Sequence, residues 1–259
     1  MSGAGYPEFS LSAELVQNRS VSELRSMLLG REACLSPEEL LLLESDPRAG
    51  IRALANLIRS KTAAEARERA RLESLCRFER ELWERGITRI AGLDEAGAGP
   101  LAGPVVAGAV VFPPGMVIPG VDDSKKLRPA KREHLAGLIR EEAVAWAVAE
   151  ATPHEIDRLN IYQASLLAMR RAADRLAPPA EHLLVDARTV SGTSLPQTPI
   201  VKGDARSFTI AAASILAKTW RDALMLALDH RYPGYGFAEN KGYPTAFHRE
   251  ALARLGPPP

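Results

Sequence analysis

Cysteine is nearly absent. The 259 residues hold only Cys34 and Cys76, and neither has a second cysteine or a histidine at metal-ligand spacing. That argues against a disulfide framework and a structural zinc site, and it fits a reducing, cytoplasmic setting. An excess of one charge is absent too: 33 Lys and Arg stand against 32 Asp and Glu, a formal net charge of +1. The chain lacks the global positive field that draws many proteins to nucleic acid, so any polyanion must be held by a local patch. No basic-then-apolar leader pattern opens the sequence, which begins Met-Ser-Gly-Ala-Gly-Tyr. Residues 96–121 carry no charge, but Pro100, Pro104, Pro113, Pro114 and Pro119 interrupt them, so a continuous membrane-spanning helix is excluded there. Nothing repeats at the periods that mark solenoids. What is present, 46% hydrophobic and 25% charged residues, is the composition of a soluble globular protein. Its length gives room for one domain of ordinary size and a smaller appendage.

The first third reads as helical. Ser20–Glu23 and Ser36–Glu39 each set a serine cap three residues before a glutamate, and Pro37 suits a first helical turn. Leu40 to Leu43 supplies an apolar face. Asp46-Pro47 starts another helix with Ile51, Leu54, Leu57 and Ile58 at helical spacing. From Thr62 to Arg85 charges alternate in sign while Leu72, Leu75, Phe78 and Leu82 form one stripe. That is the pattern of a solvated amphipathic helix more than of a nucleic-acid contact. Gly86 ends it, so the expected organisation is a small all-α segment over 1–86 and an α/β domain over 87–259. In the latter, strands are expected at 88–93, 105–112, 143–149, 182–185 and 199–201, and helices at 129–140, 160–176, 207–230 and about 245–255.

Three acidic sites occupy equivalent places at the ends of short apolar segments: Asp94-Glu95, Asp186 and Asp204. In an open α/β sheet, strand ends from distant parts of the chain converge on one edge. Four gathered carboxylates repel one another unless cations neutralise them. Two Mg²⁺ or Mn²⁺ ions suit such an all-oxygen set and would serve an in-line attack on phosphorus. Surface loops are rich in aspartate, so Asp186 or Asp204 alone would carry no weight. Asp94-Glu95 is followed by Gly97, Ala98, Gly99 and Pro100, a loop whose backbone N–H groups can approach a ligand. Adjacent strand side chains point to opposite faces, so both carboxylates reach a common ion only if the strand ends or bulges there.

Taken in order, Asp94-Glu-Ala-Gly-Ala-Gly-Pro-Leu-Ala-Gly-Pro-Val105, Asp123-Ser-Lys-Lys-Leu127, Asn160-Ile161, Leu184-Val-Asp186, Lys202-Gly-Asp204, Ala211 to Lys218, Arg221-Asp222 and Lys241-Gly-Tyr243 resemble bacterial ribonuclease HII. The resemblance covers about Arg89 to Leu255, and the helical segment before it is similar to an extension found in some Gram-positive members. The Pro-Leu-Ala-Gly-Pro continuation sets it apart from ribonuclease HIII. The resemblance implies a ribonuclease H-like mixed five-stranded sheet flanked by helices. It implies hydrolysis of RNA in RNA·DNA hybrids and cutting 5′ to ribonucleotides in duplex DNA, leaving a 3′-hydroxyl and a 5′-phosphate. Asp94, Glu95, Asp186 and Asp204 would be the metal ligands. Gly97, Ala98 and Gly99 would read the ribose 2′-hydroxyl through their backbone, and Tyr243 would stack on the neighbouring deoxyribose. Ser124 and Lys125 would meet phosphate near the cut, with Lys218 and Arg221 helping to hold the backbone. A monomer is expected, with the helical segment either docking it on replication or repair machinery or serving a structural role.

By composition alone Lys125, Lys126 and Arg128 read better as a solvated cluster; Tyr243 also reads as loop packing, and Ser214 as a small residue that lets its helix approach the sheet. Asp222 reads as a supporting acid. The sequence also departs from the family. Ala98 stands where the loop normally carries Arg, so an alternative is a weakly active or inactive hybrid-binding module. Asn240 stands in the place of a usual His, and the chain stops at Gly256-Pro-Pro-Pro259, short of the family's basic and aromatic tail.

Overall fold

A computed structural model describes residues 11–28 and 35–258; Cys34 and the opening residues lie outside them. The chain divides into two compact units, Met1–Arg71 and Leu72–Pro259.

In the first unit the helices are α1 (Ala13–Gln17), α2 (Val21–Leu28), α3 (Pro37–Glu44) and most of α4 (Ala49–Leu75). Ser36 and Glu39 form the expected capping box, and Ser20 and Glu23 exchange the same pair of bonds. Leu24, Leu28, Leu43, Ile51, Leu54 and Ile58 share one small core. Arg48 pins the corner before α4. It pairs with Asp46 at 2.8 Å and donates to the carbonyls of Val16 and Arg19.

The second unit begins earlier than the break expected at Gly86. Leu72, Leu75 and Cys76 are buried with the sheet domain's Val110, Phe112 and Phe208. In α5 (Arg77–Trp83), Leu82 packs with Ile90, Leu184, Ile200 and Ile210. The amphipathic stripe read from the sequence thus faces the sheet domain's own core from Leu72 onward. Burial pushes the Cys76 thiol up to about 12.

The sheet follows: β1 (Ile90–Ala96), β2 (Val105–Val111), α6 (Pro129–Glu142), β3 (Ala145–Ala151), α7 (Pro153–Leu159), α8 (Ile161–Asp174), β4 (His182–Asp186), β5 (Gln197–Ile200), a 3-10 turn at Gly203–Ala205, α9 (Phe208–Arg231), α10 (Phe237–Asn240) and α11 (Ala246–Leu255). The strand order is β3-β2-β1-β4-β5. β1, β2 and β3 pair antiparallel, whereas β1–β4 and β4–β5 pair parallel. This is the expected mixed five-stranded sheet flanked by helices.

Both faces are covered. Ala164, Ala168, Met169 and Ala172 of α8 pack on Ala91, Leu93, Ala107 and Val185. On the other face lies α9, built from Ala211, Ala212, Ala213 and Ser214. A Cβ on Gly92 would collide with the Thr209 backbone, and one on Gly108 with the Ala213 carbonyl. Two glycines on the strands and a run of small residues on the helix therefore set the close approach of α9. The Ser214 hydroxyl turns back to the Ala211 carbonyl at 2.8 Å, as fits a residue chosen for size. Among the described residues no helix is long and apolar enough to cross a membrane.

Candidate active site

The register of the central strands builds the acidic cluster. Leu93 of β1 lies beside Val185 of β4, so the next residues, Asp94 and Asp186, fall in the same row of adjacent parallel strands. β4 ends there, with Ile200 of β5 opposite Asp186. The chain then turns through Lys202, in the left-handed region at φ +56°, into the 3-10 turn that carries Asp204. The Gly203 N–H donates to Asp186 Oδ1 at 2.6 Å, which fixes one carboxylate and brings the other acid alongside it.

For both carboxylates to reach a common ion, the sequence required β1 to end or bulge at Asp94 and Glu95, and it does neither. It pairs without interruption to Ala96, with Asp94 opposite Gly108 and Glu95 opposite Ala107. The two side chains accordingly leave on opposite faces: Asp94 on the side of Gly92 and α9, Glu95 on the side of Leu93 and α8. β2 supplies a partner for every residue of β1's last turns of pleat, and that pairing overrides the breaking tendency of Gly97.

The electrostatics bind the four acids together. Burial, then the charges of Glu95, Asp186 and Asp204, push the Asp94 carboxyl well above its ordinary value. Glu95 is raised by burial and by Asp186, against the opposing charge of Arg188. Asp186 is raised by burial and by Asp204. Two cations lean in. Lys125 Nζ is 3.5 Å from Asp204 Oδ2, on a largely exposed side chain, and Arg188 Nη2 is 2.9 Å from Glu95 Oε1. Glu95 Oε2 is buried with no hydrogen-bond partner. Among the described residues no three carboxylate, imidazole or thiolate groups close on a common point as a finished ion site. The donor set is nonetheless all oxygen, negatively charged and short of counter-charge, and it retains an unclaimed buried oxygen. These are the properties that suit hard divalent cations whose shell is completed by water and phosphate oxygens.

Beside the acids lies the glycine-rich loop. Gly97 has φ +102°, a conformation that disfavours side chains, and any Cβ there would strike Arg221 and the Pro104 carbonyl. The Tyr243 ring stands in van der Waals reach of Gly99, with Cε1 3.7 Å from where a Cβ would be, and it is half exposed. The Leu101 N–H donates to the Gly242 carbonyl at 2.9 Å, tying this loop to the one that carries Tyr243. Asn240 is buried; it donates to the Tyr235 carbonyl and accepts from the Gly242 N–H, both at 2.7 Å. It does its work inside the loop.

Arg221 is a correction. It was expected to help hold the substrate backbone, but it is 1% exposed. Its Nε, Nη1 and Nη2 donate to the carbonyls of Pro104, Lys241 and Ala102 at 3.0, 2.9 and 3.0 Å. All three nitrogens are turned to main chain, and the residue stitches the two loops together. Lys218 is drawn to Asp222 at 2.6 Å, and Asp222 in turn pairs with Arg132 at 2.8 Å. Arg132 donates to the carbonyls of Ser124 and Leu127, so Asp222 supports the loop that presents Lys125. Ser124 is buried in that loop. Arg188 escaped the sequence reading: a lone arginine in a Ser/Thr-rich connection has no motif, and only its place two residues after Asp186 could have marked it.

A mixed sheet with acids at the adjoining ends of its central strands and a glycine loop beside them is the arrangement of the ribonuclease H-like class. Comparison with known proteins agrees. The family model described as Ribonuclease HII matches residues 91–259, and that described as Ribonuclease HII N-terminal domain matches residues 20–83. A ribonuclease HII of an Anaeromyxobacter species is 56% identical, covering 92% of this chain and 75% of the relative. One from Myxococcus xanthus is 53% identical over 95% of this chain and 85% of its own. Among solved structures, the ribonuclease H2 of Pyrococcus horikoshii is similar with a TM-score of 0.57 and 28% identity, over 66% of this chain and 90% of that one. The chain belongs to the ribonuclease HII family. It is a hydrolytic ribonuclease, of the family that cuts RNA within RNA·DNA hybrids.

Proposed function

We propose that this chain is a divalent-metal-dependent endonuclease that cuts the RNA strand of hybrids and cuts 5′ to ribonucleotides embedded in duplex DNA, leaving a 3′-hydroxyl and a 5′-phosphate. The observation that carries this is the Asp94 carboxylate, buried among the charges of Glu95, Asp186 and Asp204. A group that only bound phosphates would gain nothing from four negative charges in its groove. Asp94, Glu95, Asp186 and Asp204 would hold two Mg²⁺ or Mn²⁺ ions. The chemistry such ions supply is activation of a water and stabilisation of the oxygen leaving phosphorus.

The rest falls to the chain. Backbone N–H groups of the Gly97-Ala98-Gly99 loop would select the 2′-hydroxyl, and the exposed Tyr243 ring beside Gly99 would cover the neighbouring deoxyribose. Lys125, on the loop anchored through Ser124 and Arg132, would meet the phosphate at the cut, and Lys218 would contribute positive charge behind it. The first unit would serve as a docking module for replication or repair proteins in the cytoplasm, on a monomeric enzyme.

The weaker-activity alternative rests on Ala98, which removes a guanidinium from the loop. Cleavage is therefore measured on a hybrid and on a duplex bearing one ribonucleotide, with Mg²⁺, Mn²⁺ or chelator. Metal-dependent cutting 5′ to the ribonucleotide is the expected result. Binding without cutting in either metal would favour the alternative, and cutting in chelator would overturn the metal-dependent reading.

A further inference from the structure

Arg188 has no part in the roles assigned above. It follows Asp186 by two residues, with Ala187 between them in the left-handed region at φ +51°. Its Nη2 lies 2.9 Å from Glu95 Oε1, and its guanidinium carbon lies 5.2 Å from the centroid of the Tyr162 ring. Tyr162 is half exposed and sits in the first turn of α8. The start of that helix is fixed by Asn160, whose φ is +70° and whose side chain accepts from the Gln163 N–H at 3.1 Å. The Asn160-Ile161 block thus sets a platform under Arg188.

An arginine and a carboxylate free to choose their geometry commonly meet through two parallel hydrogen bonds. Here they do not. Arg188 Nη1 and Glu95 Oε2 are both buried, and neither has a hydrogen-bond partner. The grip is on one oxygen only, and the second is left without a claim on it. A buried acceptor is costly to leave unmade, so the arrangement makes sense where another ligand uses that oxygen.

On the divalent-ion reading of the site, we propose that Arg188 is a positioning residue, which holds one oxygen of Glu95 against the Tyr162 platform so that the other stays free for the ion. Groups that orient metal ligands from outside typically matter by about 10- to 100-fold in metal affinity. The sign of the effect separates this role from simple charge. Removing a cation beside an ion site favours binding on electrostatic grounds, whereas removing a positioning residue weakens it.

The test is Mn²⁺ binding by the full chain without substrate, followed through the electron-spin resonance signal of free Mn²⁺. Arg188→Gln is expected to bind roughly 10-fold more weakly, and Arg188→Lys, with one compact ammonium, to recover only part of the loss. Adding Arg188→Gln to Glu95→Gln should cost little more than Glu95→Gln alone, because both act through one oxygen pair. Tyr162→Leu removes the platform from the surface and should give a smaller loss in the same direction, which keeps the test decisive if Arg188→Gln fails to fold. Equal or tighter Mn²⁺ binding by Arg188→Gln, strictly additive losses, or an unaltered Tyr162→Leu would each overturn the role. An Arg188 that instead touched substrate phosphate would leave Mn²⁺ affinity intact and flatten the salt dependence of hybrid binding. If the wild-type chain itself binds no Mn²⁺, the divalent-ion reading fails first, which is a distinct outcome.

Discussion

Asp94 gives up nearly all contact with water while within the field of three other acids, so without bound cations it works against folding. The carboxyls of Asp94, Glu95 and Asp186 are all raised, and burial raises Glu79 as well. As pH climbs through the ordinary carboxylate range, the unfolded chain releases these protons first. Each group therefore contributes stability below that range and loses it as pH rises through its folded value. Asp46 and Glu155, held down to about 2 by Arg48 and Arg171, act the other way: their contribution is present above the ordinary range and is lost as pH falls toward 2. In chelator, stability should thus decline as pH rises above the ordinary carboxylate range. Asp94→Asn should flatten that decline, raise stability at pH 7 by about 2 kcal/mol, or roughly 4–8 °C in Tm, and abolish cleavage. Thermal melts across pH check it; a variant that melts lower at pH 7 would contradict the account. Ala98 poses the opposite question, of a loop without a charge. Introducing one with Ala98→Arg should raise cleavage at a single embedded ribonucleotide by roughly 10- to 100-fold, the worth of one charged hydrogen bond. An unchanged rate would show that the loop's backbone suffices.

Among the elements, β1 and α9 do most to place the site, and their contact depends on what Gly92 and Gly108 lack. Gly92→Ala would drive a methyl into the Thr209 backbone, and backbone cannot rotate away as a side chain can. The expected cost is about 1–3 kcal/mol, read as a lower denaturant midpoint, with cleavage impaired because Asp94 lies two residues on. This closeness was partly legible in the sequence, since the run Ala211 to Ser214 announces a helix made for tight packing. The helices of the first unit were legible through their serine caps, and β4 and α9 through apolar runs that end in turn residues. Other features, besides Arg188, were hidden. β1 continues through Asp94 and Glu95 because β2 pairs with it, a tertiary effect that no local pattern carries. α7 buries none of its residues, so it has no apolar periodicity, although the Thr152–Glu155 capping box was there to be read. Arg221 looked like a phosphate contact because an arginine's sequence neighbours do not reveal that three carbonyls surround it.

Over the whole molecule the decisive question is where the catalytic unit begins, and burial answers it more sharply than composition. Gly86 marks the end of charge alternation, yet the residues before it already serve the sheet domain. Leu72, Leu75 and Leu82 fill its core. Glu79 is fully buried; its Oε1 accepts from the Ser207 hydroxyl at 2.6 Å, the Thr209 N–H at 2.9 Å and the Thr209 hydroxyl at 2.8 Å. Those partners form the entrance to α9, the helix that backs Asp94, so α5 caps the element on which the site rests. A chain starting at Leu72 keeps this arrangement; one starting at Ile87 loses it. Removing Leu82 alone from its cluster would cost about 2–5 kcal/mol if it behaves like a core leucine cut to alanine, and the shorter chain also strips Glu79 from Ser207 and Thr209. The expectation is that residues 72–259 unfold cooperatively and cut a hybrid at close to the full chain's rate, whereas residues 87–259 are insoluble or melt far lower. Circular dichroism melts and the hybrid assay on the two truncations decide it. Equal stability would mean that α5 is an accessory, and loss of cleavage at Leu72 would mean that the first unit takes part in holding the substrate.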